Sequence, residues 1–164
     1  MFKSIFRILL LTVFAVLTVQ GPVLARGKTV PARALPVDTQ HLVVLTKTSI
    51  IAVNQANQTG NYSVLHALAA PAFRDKNSAK DLEKIFAKLR ASNLDLSPIV
   101  IYNPEFANSP QIMPNGFLRL RGYFPTRPLQ VNFDLLFQPV GGEWRLYGIS
   151  LNPANRNQPV SQLR

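Results

Sequence analysis

Cysteine is absent from the 164 residues of this chain. Its absence excludes a disulfide scaffold, a cysteine nucleophile, a thiolate metal site and a lipoprotein anchor. Only two histidines, His41 and His66, are present, so we expect no metal site, and we expect no cofactor. Acidic residues are also scarce, 8 against 18 lysines and arginines, which gives a formal net charge of +10. The remaining composition is sufficient for one domain with a hydrophobic core.

The apolar run near the N-terminus is too short to span a membrane. Ile8–Val19 has 12 residues, whereas a spanning helix needs about 20. Lys3 and Arg7 precede the run, and small residues ending at Ala25 follow it. This is the pattern of a secretory signal peptide, although a membrane anchor is the alternative. We therefore expect residues 1–25 to be cleaved near Ala25 and the mature protein to be secreted or periplasmic.

Much of the positive charge lies in the segments that flank the domain. Without the signal peptide the formal charge is +8, and half of this net charge is in the flanks. Residues 26–39 contain two prolines and predict a flexible basic tether, which we expect to favour an anionic envelope surface. Residues 153–164 predict a disordered tail, which leaves a single domain over residues 40–152. The charge within the domain is too dispersed to indicate a nucleic-acid partner.

Helices are predicted in the first half of the domain. The first begins at Asp38 or Thr39, runs to about Gln58 and ends at Gly60. Its wide apolar arc indicates a nearly enclosed helix. A short second helix follows over residues 62–70 and ends at Pro71.

The third helix opens at Ser78, where Asp81 completes a capping box. Asn93 is expected to end it in a left-handed conformation. Its apolar positions have helical spacing and predict the buried stripe; they are Leu82, Ile85, Phe86 and Leu89.

After Pro98 the apolar pattern alternates, which is typical of strands. Residues 99–102 are predicted as the first strand. Asn115-Gly116 predicts a hairpin between 111–113 and 117–124, and Gly141-Gly142 predicts another between 129–140 and 143–151. Helices followed by antiparallel strands indicate an α+β fold, with the helices packed on one face of a curved sheet.

The second hairpin sorts the sheet into two faces. A two-residue loop places Val140 opposite Glu143 and leaves one apolar face for the helices to cover. Three further opposed pairs follow from that register, namely Phe137 with Leu146, Leu135 with Gly148 and Phe133 with Ser150. On this basis Ser150 could offer a hydroxyl on the inner side.

The other face of the sheet mixes apolar and charged residues. It is either a solvated face with weak cross-strand ion pairs or a partner surface. Tyrosine, arginine, leucine and isoleucine together favour the partner surface. The predicted binding residues are Arg119, Arg121, Asp134, Leu136, Tyr147 and Ile149.

The order of these elements resembles the cone-shaped superfamily of nuclear transport factor and ketosteroid isomerase, which has a cystatin-like α+β fold. The stretch NQTGNYSVLHALAAPAF is similar to the end of that superfamily's first helix and its short second helix. The stretch FPTRPLQVNFDLLFQPVGGEWRLYGISLNP is similar to its last hairpin, as in small secreted bacterial members. The resemblance implies a homodimer formed through the sheet and a cone that can hold an apolar small molecule.

The resemblance implies that an enzyme of this type would place an ionisable or hydrogen-bonding group inside the cone. The inward series Val131, Phe133, Leu135 and Phe137 contains no carboxylate. Three other side chains are candidates for a chemical role: Tyr62, His66 and Tyr102. We therefore expect an exported non-catalytic binding or interaction module, and the alternative is a small-molecule isomerase or hydrolase.

Overall fold

The computed structural model describes residues 37–155. The predicted signal peptide, most of the predicted tether and the chain after Asn155 lie outside the described residues. The helices are α1 Thr39–Thr59, α2 Ser63–Leu68, α3 Pro71–Arg74, α4 Ala79–Ile85 and α5 Ala87–Ala91, followed by a 3-10 helix at Ser97–Val100. The strands are β1 Glu105–Phe106, β2 Gln111–Ile112, β3 Leu118–Phe124, β4 Gln130–Val140 and β5 Glu143–Ala154. None of the described helices has the length and apolar character needed to cross a bilayer.

Helix α1 has the ends that were predicted. The Asp38 side chain accepts a hydrogen bond from the His41 backbone N–H at 2.9 Å. At the other end Gly60 adopts a left-handed φ of 71° and donates its N–H to the Ala56 carbonyl at 2.8 Å. Glycine takes this conformation without the steric cost that a Cβ brings. The cap residues therefore fix both ends of α1 locally.

The second helix ends before Pro71, as expected, but Pro71 then opens a further helix. The proline ring fixes φ in the helical range. Proline also has no backbone N–H, which at the first helical position would find no acceptor within the helix. The capping box of Ser78 and Asp81 is present at the start of α4. The predicted third helix is interrupted at Phe86, and Asn93 has the expected positive φ of 51°.

The predicted buried stripe of the third helix is partly wrong. Leu82 and Phe86 are buried and Leu89 packs against the core, but Ile85 is 56% exposed. Helix α4 ends at Ile85 and the chain turns at Phe86. Ile85 lies outside the surface that contacts the core and faces solvent.

The predicted strand at residues 99–102 is also wrong. The 3-10 helix Ser97–Val100 has Pro98 in its first turn, and Ile99 is fully buried while Ile101 is 83% exposed. The aliphatic residues anchor a turn instead of alternating along a strand. The first strand is the short β1, which begins at Glu105.

The strands form one antiparallel sheet in the order β1-β3-β4-β5, and β2 also pairs with β3. Both predicted hairpins are confirmed. The turn residues Gly141 and Gly142 have φ of 59° and 85°, as a type I′ hairpin turn requires. The helices pack on the inner face of the sheet. The largest fully buried side chains of the core between the two layers include Phe124, Phe133, Phe137, Ile50, Leu82 and Leu96.

A β-bulge in β5 changes the register that was predicted for the last hairpin. Val140 opposes Glu143 and Phe137 opposes Leu146, as expected. Beyond this point Leu136 opposes Gly148, so that Tyr147 is the extra residue in β5. The predicted opposed pairs of Leu135 with Gly148 and Phe133 with Ser150 are therefore wrong, since Ile149 and Leu151 take those places.

Candidate functional site

The outer face of the sheet lies on the side opposite the helices. In β3, and in β4 from Asp134 onwards, it is formed by residues that alternate with the buried ones, while Asn132 at the start of β4 lies on the same face but is itself buried. Those residues are Arg119, Arg121 and Tyr123 in β3, and Asn132, Asp134, Leu136 and Gln138 in β4. The strand register thus brings the predicted residues Arg119, Arg121, Asp134 and Leu136 together on one face.

Asp134 is at the centre of an ion-pair cluster on this face. Arg119 donates from Nε to Oδ1 at 2.9 Å and from Nη2 to Oδ2 at 2.6 Å, which is a bidentate pair. Arg121 Nε lies 3.2 Å from the same Oδ2. The hydrogen bonds to Asp134 raise the pKa of the Arg119 guanidinium. Two arginines therefore share one carboxylate, which leaves one positive charge in excess.

The cluster is only partly hydrated. The side chain of Asp134 is 13% exposed, and those of Arg119 and Arg121 are 38% and 26% exposed. A charge-paired group of this kind has already lost much of its hydration within the monomer. Covering it with a partner therefore costs less than covering isolated charges.

An aromatic pair lies further along the same face. The rings of Phe117 and Tyr147 meet edge to face, with centroids 4.8 Å apart. Tyr147 is in β5 and Phe117 immediately precedes β3, and β4 lies between those two strands. Gln138 of β4 is on the outer face at this level, and its Oε1 is buried without a hydrogen-bond partner. The face therefore presents aromatic surface beside the ion-pair cluster.

A shallow depression of about 330 Å³ opens on the outer face between these features. The bulge places Gly148 opposite Leu136, where it contributes no side chain to fill the depression. The depression is lined by Met113, Arg119, Asp134, Leu136, Gly148, Ile149 and Ser150. Its surface combines aliphatic groups, a hydroxyl and the ion pair.

The bulge also corrects two predictions of side-chain direction. Ile149 was predicted on the outer face; it borders the depression there, but it opposes the buried Leu135 and packs against the core. Ser150 was considered for the inner side, but it opposes Asp134 on the outer face. One extra residue in β5 reverses the direction of every later side chain. Tyr147 is the bulge residue, and its contact with Phe117 places it on the outer face, as predicted.

The three candidates for a chemical role do not form a site. The Tyr62 hydroxyl donates to Asn57 Oδ1 at 2.7 Å, its ring stacks on Phe86, and burial raises its pKa. His66 Nε2 lies 3.5 Å from the Arg74 carbonyl. Tyr102 is half-buried against the core. No hydrogen bond joins any two of these three side chains in the described part of the chain.

A small cavity of about 140 Å³ lies between α1, α2 and the end of the last hairpin. Its lining is mainly apolar and includes Leu45, Ala52, Leu65, Leu68 and Trp144. The ion-paired Glu143 and Arg145 also contribute to it, and none of the three chemical candidates does. The hydroxyls of Thr48 and Ser49 also line it, but both donate to carbonyls of their own helix at 2.8 Å. The cavity therefore suits an apolar group.

A buried polar network around Asn54 was not predicted. Its Oδ1 accepts the Leu96 N–H at 2.9 Å, and its Nδ2 donates to Ser97 Oγ at 3.0 Å and to Asp95 Oδ1 at 3.3 Å. An asparagine beside the buried Ile50 and Val53 of α1 was the available sequence signal. The network holds the chain after α5 against α1, which is a structural role.

Among residues 37–155, no group of three or more histidines, aspartates or glutamates could hold a metal ion. Fold and surface together define an α+β protein with helices on an open five-stranded sheet and a mixed aromatic and ion-paired outer face. In the comparisons with known proteins, no family model, no curated protein and no solved structure matches this chain.

Proposed function

We propose that this chain is an exported, non-catalytic interaction module that associates with a second copy through its outer sheet face. The observation that carries the proposal is the paired, half-buried cluster of Arg119, Asp134 and Arg121 next to Leu136. Arginine, tyrosine and aliphatic residues are typical of the centre of interfaces. The aromatic pair of Phe117 and Tyr147 extends the same surface.

A face built for water alone would have another composition. Lysine, glutamate and threonine are typical of exposed strand positions, and the outer positions of β3 and β4 carry none of them. Leu136 would remain in contact with water between two charged groups if nothing covered it. These features favour association over simple solvation.

The resemblance to the cone-shaped superfamily of nuclear transport factor and ketosteroid isomerase supports this proposal. Members of that superfamily commonly pair through their sheets, and the helices of this chain lie on one face of its sheet, leaving the other for a partner. We extend the proposal to membership of that superfamily and to export by the N-terminal segment. The basic residues after Ala25 would then favour an anionic envelope surface.

Sedimentation of the Leu136→Glu variant tests the dimer. The added carboxylate would lie beside Asp134 and would have to be desolvated in the interface. We therefore expect the dissociation constant of the dimer to rise by on the order of 100-fold. Ile85→Glu is the matched control, because Ile85 is an exposed aliphatic residue on α4. If Leu136→Glu associates as wild type does and both variants fold, the outer face is not the interface.

The cavity at the hairpin end favours a second candidate, which is the binding of a small apolar molecule. A cavity of roughly 150 Å³ can hold a ligand the size of benzene. Trp144 lines the cavity and is the only tryptophan of the chain, so its fluorescence reports on occupancy. We expect benzene to change this fluorescence in wild type but not in Ala52→Leu, in which the larger side chain occupies the space. An equal response of both proteins would contradict the assignment.

A further inference from the structure

Strand β5 forms an edge of the sheet that is only partly covered. It pairs with β4 along one side. On its other side the Leu146 carbonyl accepts the Ala70 N–H at 2.7 Å, where the chain between α2 and α3 meets the strand. From Tyr147 to Ala154 no described strand pairs with that side. An open edge of this kind is a template for another strand.

The hydrogen-bond alternation identifies which residues of β5 face the open edge. Opposed pairs in an antiparallel ladder alternate between bonded and non-bonded. Leu146 uses its carbonyl on the open side, so its pair with Phe137 is of the non-bonded kind. Because the extra residue is in β5, the alternation continues unbroken along β4. Leu135 and Phe133, two and four residues before Phe137, therefore also form non-bonded pairs with β5. Their partners Ile149 and Leu151 therefore turn their backbone groups to the open edge.

The pairing of β3 gives the same result independently. The Arg121 carbonyl accepts the Ala107 N–H at 2.9 Å on the side away from β4. The neighbouring Leu120 therefore bonds towards its partner Leu135 in β4. Since Leu135 uses its backbone groups on that side, it leaves those of Ile149 free.

We propose that this edge pairs with the same edge of a second copy, antiparallel about a two-fold axis at Ser150. Ile149 of one copy then opposes Leu151 of the other, and both residues have edge-facing backbone groups. The two symmetric pairs make four backbone hydrogen bonds. A register centred on Leu151 would instead oppose Ile149 with Pro153, which has no N–H to donate.

The side chains of the strand fit the same register. Ile149 and Leu151 are half-buried on the inner face, so the pairing places each beside an aliphatic side chain of the second copy. No charged residue occurs from Leu146 to Asn155, so no like charges meet across the axis. The bulge at Tyr147 and Pro153 bound this stretch and limit the pairing to it.

This edge is separate from the outer face on which the proposed function rests. Face-to-face and edge-to-edge contacts are two different two-fold interfaces, and a chain that uses both forms assemblies larger than a dimer. Loss of one contact leaves the other intact, so the two proposals can fail independently.

Amide hydrogen exchange, followed residue by residue by NMR at increasing protein concentration, tests the edge. We expect exchange at Ile149 and Leu151 to be fast in dilute protein and to slow by on the order of tenfold as concentration rises. The amides of Ser150 and Asn152 bond to β4 and are the internal controls, protected at every concentration. Fast exchange of the two edge amides throughout, or their protection even in dilute protein, would overturn the proposal. The latter result would indicate that another part of the same chain covers the edge.

Substitution of Ser150 provides a second test. Ser150→Lys and Ser150→Asp each place like charges opposite each other on the axis, so each alone should lose the concentration-dependent protection. An equimolar mixture pairs opposite charges and should regain it. Because Ser150 also lines the depression on the outer face, the mixture is measured in the Leu136→Glu background, which disrupts that face. Recovery there is specific to pairing about Ser150, and its absence in folded variants contradicts that register. Leu136→Glu should leave the edge protection unchanged, which separates this result from the test of the outer face.

Discussion

The backbone carbonyl of Glu105 occupies the space that a side chain on Gly122 would need. A Cβ built on Gly122 would be 2.1 Å from that oxygen and 2.8 Å from the ring of Phe133. Strand β1 pairs with β3 at this point, with Phe106 opposite Gly122. The missing side chain is therefore what allows the backbone of β1 to approach β3 so closely.

We predict that Gly122→Ala destabilises the domain by about 1–3 kcal/mol or more, since backbone must move to admit the methyl group. Gly148→Ala is the matched control. Its new Cβ would meet Leu136 Cβ at 3.5 Å, an ordinary contact, and should change stability by less than about 1 kcal/mol. Denaturant unfolding of the two variants measures the difference. Equal stabilities would show that the close approach of β1 is not required.

Features fixed by neighbouring residues could be predicted from the sequence. The Asp38 cap and the Gly60 terminus of α1 act within a few residues, and so do the hairpin turns at Asn115-Gly116 and Gly141-Gly142. The bulge at Tyr147 depends on how β5 aligns with β4 over its whole length. It has no local signal, so the outward direction predicted for Ile149 was wrong.

The prediction of a strand after Pro98 was wrong for a similar reason. Its aliphatic residues have the composition of a strand, but Asn54 holds Leu96 from 42 positions away and orients the chain before the turn. The residues of the ion-pair cluster were predicted on one face because strand alternation in β3 and β4 is regular. That they bind a partner stays a prediction.

Removal of the shared carboxylate should destabilise the domain. Asp134→Asn leaves the partly buried Arg119 and Arg121 without their common counter-charge, so we predict a loss of about 1.5–3 kcal/mol. Glu143→Gln is the control, because Glu143 pairs with Arg145 at 2.9 Å on an exposed surface and should contribute less than about 1 kcal/mol. Thermal and chemical unfolding of both variants provide the measurement. A similar small effect in both would contradict a structural role for the cluster.

Asn54 should be needed to hold the segment after α5. Asn54→Ala leaves the Leu96 N–H buried without its acceptor, and we predict a loss of about 1–3 kcal/mol. Gln58→Ala removes a longer, exposed contact to Asp95 at 3.4 Å and should have little effect. Amide exchange at Leu96 adds a local measurement, since this amide should exchange faster in Asn54→Ala alone. Unchanged protection there would show that Asn54 is dispensable.

The carboxyl group of Asp95 makes a pH-dependent contribution to the same segment. Hydrogen bonds from Ser97, and a weaker one from Asn54, lower the pKa of Asp95 in the folded protein. A lowered folded pKa means that the stabilisation is present above the unfolded value of about 3.9 and disappears as pH falls through the folded value. Asp95→Asn lacks the ionisable group, so we expect it to be less stable than wild type at neutral pH and to approach wild type below pH about 3.9. Unfolding free energies measured for both proteins across this range provide the comparison. A stability difference that stays constant down to the lowest pH would show that the Asp95 charge does not contribute.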